Sequence, residues 1–441
     1  MGNKLKFEDK MGATVLDKTK ANFRNHGKFE SGWLYEMRKA AWESYNDLPM
    51  PDRVSHLWRY SDPKHFDVDN PSELLDIMPV LSQNGYADVR LVRTEHSAYG
   101  YNTSGRNGVT KSQIELEDDG VIFRNLFSAT RDDEKLTSEL LGKLVGGNFG
   151  KFEALNSALW NTGFFLYVPD NTVIDKPIYL VREPTEKYTF TRLLVVIGNN
   201  AQVTIVDDYL NKSNGKGKSV NSVVEIFSGD ACNISYVNFQ RLSESSKNYT
   251  TKRAVIGGNT NFHSVFASLG SGVSKVDTGT ILNGRGASSN MIGFMLGGNK
   301  QHLDMHTEHN HTKGDTYSNL DFKVVLKDKA QSAYTGLIRI DKDAKNCEAY
   351  QENRNLLLNE GAKSESIPEL EILNEDVRCS HGATMGPIDP EMVYYLKSRG
   401  ISKEDAEKMI VSGFLEPTFK ALPKGNETMV RELFLEKLET N

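Results

Sequence analysis

The chain has few cysteines, no long hydrophobic run and no surplus of positive charge, and each shortage excludes a class of protein. Its 441 residues include 3 cysteines, Cys232, Cys347 and Cys379, which are too few and too scattered for a disulfide-stabilised fold. The longest strongly apolar runs, residues 164–168 and 193–197, fall far short of the ~20 residues that a helix needs to cross a bilayer.

Charge and the first residues narrow the class further. The chain has 53 Lys and Arg against 59 Asp and Glu, a net charge of −6. Dedicated nucleic-acid-binding proteins usually carry a basic surplus, so this balance argues against that class. The opening MGNKLKFEDK has neither the apolar core nor the cleavage site of a secretory signal. We therefore expect a cytoplasmic protein with no nucleic-acid partner and no membrane partner.

Apolar periodicity divides the chain into a mixed or helical N-terminal region (residues 1–160), a β-rich centre (161–385) and a helical C-terminal domain (386–441). In the centre, short runs rich in Val, Ile, Phe and Tyr alternate with turn residues, which is typical of strands. The N-terminal region contains apolar patterns at helical spacing, which predict helices over residues 11–23, 31–45, 134–145 and 151–160.

Capping signals predict three helices in the C-terminal domain. The first begins at Asp389 and Pro390 and ends at Gly400. The second begins at a capping box formed by Ser402 and Asp405 and ends at Gly413, and the third covers residues 427–438.

A turn residue followed by alanine recurs along the β-rich centre. A stacked coil has little room at its corners, so small residues there are expected of a solenoid. A β-sandwich, the alternative, would show cleaner alternation of apolar and polar residues. We therefore predict a mainly β fold, with a right-handed parallel β-helix core flanked by N-terminal and C-terminal helical regions. The turn residues and the alanines that follow them are Asn200-Ala201, Asp230-Ala231, Gly286-Ala287, Lys329-Ala330, Asp343-Ala344 and Gly361-Ala362.

Residues 301–311 hold five side chains of metal-ligating types: His302, Asp304, His306, His309 and His311. In a strand the first three share one face and the last two take the other. Imidazole and carboxylate suit zinc or iron. His302, Asp304, His306 and His311 are therefore candidate ligands, and a stand-alone metal-dependent hydrolase is one alternative function. A polar surface ladder or a subunit contact is the other interpretation of the run.

Cys379 and His381 lie two residues apart in VRCSHGATMG, so in a strand both side chains point the same way. A thiolate and an imidazole on one face can hold iron, zinc or the edge of a cluster. Two ligands do not complete a site, so other residues or another subunit must contribute. The alternative interpretation is a buried structural cysteine beside a hydrogen-bonded histidine.

The sequence lacks the motifs that are typical of two classes of enzyme. GGNFGK and SNGKGKS have the wrong spacing for a phosphate-binding loop, so the chain has no predicted nucleotide site of its own. A β-helix enzyme acting on carbohydrate needs paired carboxylates along a groove, and Asp207-Asp208 is the adjacent acidic pair within a clear predicted strand. This carbohydrate-active function remains an alternative.

Residues 368–414, PELEILNEDVRCSHGATMGPIDPEMVYYLKSRGISKEDAEKMIVSGF, closely resemble the C-terminal signature of the SufB/SufD family of iron–sulfur cluster assembly proteins. Residues 152–180, the D-x-x-T run at 304–307 with His311 and Ser318 after it, and LPMPDRVSHLWRYSDP are similar to further family segments. The C-S-H-G-A-T motif is the SufD form. Ala362 stands where SufB-type chains carry a cysteine.

The resemblance implies a non-catalytic scaffold subunit in an ATPase-driven assembly. Such a subunit pairs through its β-helix with a SufB-type subunit or a second copy of itself, and a cysteine desulfurase supplies sulfur indirectly. His381 matches the SufD residue implicated at the subunit interface, with Cys379 beside it, so the two would hold transient iron or an iron–sulfur cluster there. A SufC-type ABC ATPase would contact the C-terminal helices through Tyr394, Tyr395, Arg399 and Gly400.

Overall fold

The computed structural model describes residues 30–76, 95–103, 106–112, 114–210, 217–420, 422 and 427–440. The helix predicted over residues 11–23 lies outside them. The N-terminal region contains three 3₁₀ helices, His56–Trp58, Pro63–Phe66 and Pro71–Asp76. It also contains α1 (Gly32–Asp47), β1 (Ala98–Thr103), β2 (Arg106–Ser112), α2 (Ile114–Asp118), β3 (Ile122–Asn125), α3 (Leu126–Asp132), α4 (Glu134–Leu140) and α5 (Lys151–Leu159).

Among the described residues of the centre, strands follow one another without an intervening helix. They are β4 (Thr162–Val168), β5 (Ile178–Glu183), β6 (Tyr188–Ile197), β7 (Gln202–Leu210), β8 (Ser219–Ser228), β9 (Asn233–Arg241), β10 (Lys247–Ile256), β11 (Asn261–Ser268), β12 (Val273–Leu282), β13 (Ser288–Gly297), β14 (His302–His311), β15 (Tyr317–Leu326), β16 (Gln331–Ile340), β17 (Cys347–Leu357), β18 (Lys363–Ile372) and β19 (Val377–Pro387). Three helices close the chain: α6 (Pro390–Ser398), α7 (Lys403–Lys420) and α8 (Glu427–Thr440).

Successive strands alternate between two sheets, which makes the centre a parallel β-helix of about eight coils. The odd sheet has 10 strands in the order β19-β17-β15-β13-β11-β9-β7-β5-β1-β2, and the even sheet has 9 in the order β18-β16-β14-β12-β10-β8-β6-β4-β3. All pairings among β4–β19 are parallel, whereas β2 and β3 pair antiparallel with β1 and β4. The β-helix prediction is confirmed and the β-sandwich alternative is wrong.

The corners of the coils explain the recurring alanines. At two corners a residue with positive φ, Asn200 (φ 54) or Gly286 (φ 71), turns the chain directly before the alanine, and at five of the six corners the alanine is buried inside the solenoid. Ala231 is the exception, because it takes the left-handed position itself (φ 58) and Cys232 fills the interior. The interior alanines are Ala201, Ala287, Ala330, Ala344 and Ala362.

Helices cover the outer faces of both sheets. On the odd sheet, α7 and α8 bury Leu415, Phe419 and Phe434 against strand residues such as Phe294, whose ring lies 5.0 Å from that of Phe419. On the first strands of the even sheet, α1 and α5 form a second apolar cluster. None of the helices within the described residues is long and apolar enough to cross a membrane.

Helix α7 and helix α4 differ from their predicted lengths. The sequence places the end of α7 at Gly413, but the helix continues to Lys420. Glycine within a helix costs only about 1 kcal/mol, and the turns beyond it bury Leu415 and Phe419, so packing outweighs that cost. Helix α4 stops at Leu140 rather than residue 145.

Candidate functional site

The last coil of the solenoid is open. Strands β18 and β19 are the terminal strands of the even and odd sheets, so one edge of each has no neighbouring strand among the described residues. Leu370, Leu373 and Met385 expose 37% to 50% of their surface there. Exposed apolar side chains beside unpaired strand edges are the features of a surface that another protein covers.

Cys379 and His381 lie on β19 in this open coil. Strand β19 pairs in parallel register with β17, where Cys379 is opposite Ala349 and His381 is opposite Gln351. Ala349 and Gln351 are buried inside the solenoid, so Cys379 and His381 point to the same inward side one layer further out. Cys379 is half-buried against the interior core and His381 is exposed. The structure thus brings the two predicted residues to one face at an accessible end.

The Cys379 thiol is not pre-ionised. Burial, with a smaller contribution from neighbouring Cys347, raises the pKa of Cys379 above that of an ordinary cysteine. A thiol must lose its proton to bind metal. Metal binding at Cys379 therefore has to displace a proton.

The two side chains are of metal-ligating types but number only two. A soft sulfur and an imidazole nitrogen suit iron or the edge of an iron–sulfur cluster. Within the ranges that the structure covers, however, no three His, Cys, Asp or Glu side chains converge to hold a metal ion. To hold such a group, Cys379 and His381 would need ligands from outside the described part of this chain.

The His302–His311 strand, β14, divides its polar side chains between two faces. His302, Asp304 and His306 lie on the outer face under residues 51–66, which we call the N-terminal strap. The Asp304 carboxylate accepts a hydrogen bond from Ser61 (2.5 Å) and pairs with Lys275 (2.9 Å). Although burial opposes ionisation, Lys275, His306 and Ser61 hold the pKa of Asp304 below its ordinary value.

His309 and His311 lie inside the solenoid, as their parity in the strand requires. His311 bonds Thr316 Oγ1 at 2.7 Å and Ser318 Oγ at 2.8 Å, and burial lowers its pKa to about 4. His311 thus faces away from His302, Asp304 and His306. The four predicted ligands are not brought together. In the described structure the outer side chains of residues 302–311 contact the N-terminal strap, the inner ones fill the core, and they do not form a metal centre.

The Asp207-Asp208 pair is also internal. Arg182 contacts Asp207 at 2.5 Å, and Tyr236 donates to the same carboxylate at 2.8 Å. Arg241 and Tyr179 engage Asp208. Both carboxylates are fully buried and paired with arginine, so they do not line a groove as carbohydrate hydrolysis would require.

Helix α6 carries the predicted ATPase contacts on an uncovered surface. None of its residues is buried, and Tyr394 and Tyr395 expose 75% and 57% of their surface. Asp389 caps the helix by accepting from the amide of Glu391 at 2.9 Å, and Gly400 ends it in the left-handed region (φ 85). The Arg399 guanidinium lies 5.1 Å from the Tyr395 ring.

Sequence reasoning missed two features of these surfaces. Met392 exposes 54% of its surface beside Tyr395 on α6, and helical spacing from Asp389 would have placed it there. Gln351 lies beside His381, and only the strand register reveals that position.

Comparisons with known proteins agree with this geometry. Residues 179–414 match the family model "SUF system FeS cluster assembly, SufBD core domain", and residues 24–180 match "SufBD protein N-terminal region". The chain is 31% identical to the iron-sulfur cluster assembly protein SufD of Bacillus subtilis, over 89% of this chain and 91% of that protein. It is 32% identical to a SufBD family protein of Staphylococcus saprophyticus, over 90% of this chain and 87% of that protein. The chain belongs to the SufBD family of iron–sulfur cluster assembly proteins.

Proposed function

We propose that this chain is a SufD-like, non-catalytic scaffold subunit. It pairs through its open coil with the β-helix of a SufB-type subunit or of a second copy of itself, and we call each such β-helix a rod. The observation that carries the proposal is the position of Cys379 and His381 on one face of the terminal strand β19. An iron ion or an iron–sulfur cluster is the cargo of such a site. Cys379 and His381 supply two ligands and the facing subunit supplies the rest.

The pairing is supported by the backbone of the last coil. Edge strands present rows of N–H and C=O groups that pair readily with another strand. A second rod that adds strands to β18 and β19 would bury Leu370, Leu373 and Met385, and would place its own ligands opposite His381. Burial of these ligands also excludes water from the cargo.

The docking of a SufC-type ABC ATPase is supported by helix α6. Exposed aromatic and methionine side chains are enriched in the centres of protein interfaces, and α6 presents Met392, Tyr394 and Tyr395 together. In this proposal the ATPase supplies the work of assembly.

Co-purification tests the docking surface. The tagged chain is isolated from cells that express the SUF proteins, and the ATPase is identified by mass spectrometry and ATP hydrolysis. Tyr394→Ala is expected to lose the ATPase, whereas Tyr317→Ala removes another exposed tyrosine far along the chain and is expected to retain it. If the wild-type chain brings down no ATPase, the docking proposal is wrong.

Cluster formation tests His381. His381→Ala is expected to slow cluster delivery to an apo-ferredoxin, while His65→Ala, which removes an exposed histidine of the N-terminal strap, is expected to leave the rate unchanged. Delivery at the normal rate by the His381→Ala assembly would show that the assigned role is wrong.

A further inference from the structure

Gln351 on β17 is a buried amide that no described residue hydrogen-bonds. Its side chain is on the inward side of the strand and exposes only 3% of its surface. Among the residues that the structure describes, neither Nε2 nor Oε1 has a hydrogen-bond partner. Buried amides are almost always hydrogen-bonded, so an unpaired one calls for an explanation.

The other polar side chains on the inward side of β17 are satisfied. Asn355 donates to Asn353 at 2.7 Å and to the Thr384 carbonyl at 3.0 Å. Ser364 donates to Asn355 at 2.9 Å. On β17 the unpaired side chain is therefore Gln351, next to His381, and on the adjoining strand β18 the Ser366 hydroxyl is also buried without a partner among the described residues.

The strand register places Gln351 between Leu320 and His381. On the inner side it pairs in register with Leu320, which is apolar, and on the outer side with His381. Across the core, a Cβ on Gly336 would lie 2.3 Å from Gln351 Nε2, so the amide fits only because residue 336 is glycine. The nearby Tyr334 hydroxyl bonds Thr307 at 3.0 Å and makes no hydrogen bond to Gln351.

We propose that Gln351 is a positioning residue for His381: its carboxamide oxygen accepts a hydrogen bond from one ring N–H, which directs the other ring nitrogen at the cargo iron. This inference rests on the proposed function of His381. Metal-binding histidines almost always donate their second ring N–H to a fixed acceptor, which sets the tautomer and the orientation of the ring. Rotation about the last side-chain bond lets Gln351 present its oxygen to the open coil.

Covering of the coil makes this hydrogen bond necessary. In the isolated chain His381 is exposed, so water can satisfy both ring nitrogens. A facing rod removes that water, and a buried ring N–H then needs a protein acceptor. Gln351 is adjacent in register and has its amide oxygen unpaired.

Iron affinity of the native assembly, purified through a tag on this chain, tests the proposal. Fe²⁺ is titrated anaerobically in competition with a chromophoric chelator. Gln351→Leu is expected to weaken Fe²⁺ binding by about 10- to 100-fold, as loss of such an acceptor typically does. Gln351→Glu keeps an acceptor oxygen at the same reach and is expected to restore most of the affinity.

Gln301→Leu is the matched control. Gln301 is also buried, but its oxygen accepts from the Gly298 amide at 3.0 Å and its nitrogen donates to the Ser271 carbonyl at 2.7 Å. Its replacement is expected to lower the Tm of the isolated chain and to leave Fe²⁺ affinity unchanged. Gln351→Leu breaks no hydrogen bond of the isolated chain, so its Tm is expected not to fall.

The outcomes separate the positioning role from the proposed function. If His381→Ala weakens Fe²⁺ binding and Gln351→Leu does not, or if Gln351→Glu fails to recover affinity, the positioning role is wrong and the proposed function stands. If His381→Ala leaves Fe²⁺ binding unchanged, the proposed function of His381 is wrong and the positioning role fails with it.

Discussion

Asp304→Asn tests whether one buried charge holds the N-terminal strap on the even sheet. Asp304 and Lys275 are both almost fully buried, and their charged atoms are 2.9 Å apart. Asparagine keeps the shape of Asp304 and can still accept from Ser61, but it removes the carboxylate that pairs directly with the buried Lys275 ammonium and leaves only the Asp277 charge nearby. Breaking a buried ion pair in this way costs about 3–5 kcal/mol. The weakened hydrogen bond from Ser61 adds about 1 kcal/mol.

Urea denaturation gives the loss in free energy of unfolding, and hydrogen exchange over residues 55–66 reports whether the strap has detached. The double variant Asp304→Asn/Lys275→Met removes both charges and is expected to recover most of the loss, because no isolated charge stays buried. Lys403→Met breaks the exposed Lys403–Glu407 pair (3.6 Å) and serves as the control, with an expected cost of about 0.5 kcal/mol or less.

Two results would refute this reasoning. One is a loss of stability in Asp304→Asn no larger than in the exposed control. The other is a double variant as unstable as the single one, because the cost would then not come from the unpaired Lys275. The pKa of Asp304 is lowered in the folded chain, so its stabilising contribution is present above pH about 4 and is lost as the pH falls through the lowered value.

Three further predictions concern the solenoid and its covering helices. Burial lowers the pKa of His311 to about 4, so as the pH falls the imidazole is protonated in the unfolded chain before it is protonated in the folded one. The free energy of unfolding therefore falls by about 3 kcal/mol between pH 6.5 and pH 4. His311→Gln should reduce this dependence of thermal stability on pH, and an unchanged dependence would contradict the prediction. Ala231→Asn places a residue that tolerates the left-handed region at φ 58 and should raise the free energy of unfolding by about 0.5–1 kcal/mol; a lower Tm would count against it. Phe419→Ala empties the buried contact with Phe294 and should cost about 3–5 kcal/mol, with faster proteolysis of α7 and α8 as the direct readout.

The coiled architecture could be predicted because its constraints are local. A corner admits a small residue wherever it occurs, so alanines such as Ala201 and Ala287 report the coil without knowledge of its neighbours. Strand parity likewise assigned His306 to one face of β14 and His311 to the other, which the structure confirms.

The remaining features depend on contacts between distant residues. The pairing of Asp304 with Lys275 and Ser61 joins three segments, and the continuation of α7 past Gly413 depends on apolar strand residues far along the chain. At the candidate site, the sequence placed Cys379 and His381 on one face. It did not show that β19 is a terminal strand, that burial raises the pKa of Cys379, or that Gln351 lies alongside.

The packing of α7 and α8 determines how the rod responds to a mechanical load. Their apolar cluster includes residues of five successive strands of the odd sheet: Val206, Phe239, Val265, Phe294 and Val325. At the usual strand spacing this contact extends roughly 20 Å along the rod. A torque applied to α7 and α8 is therefore distributed over several coils of the β-helix, which respond together. The end of the β-helix that carries His381 lies two odd-sheet strands beyond Val325, so a rotation of the braced coils is transmitted to it through the strand pairing.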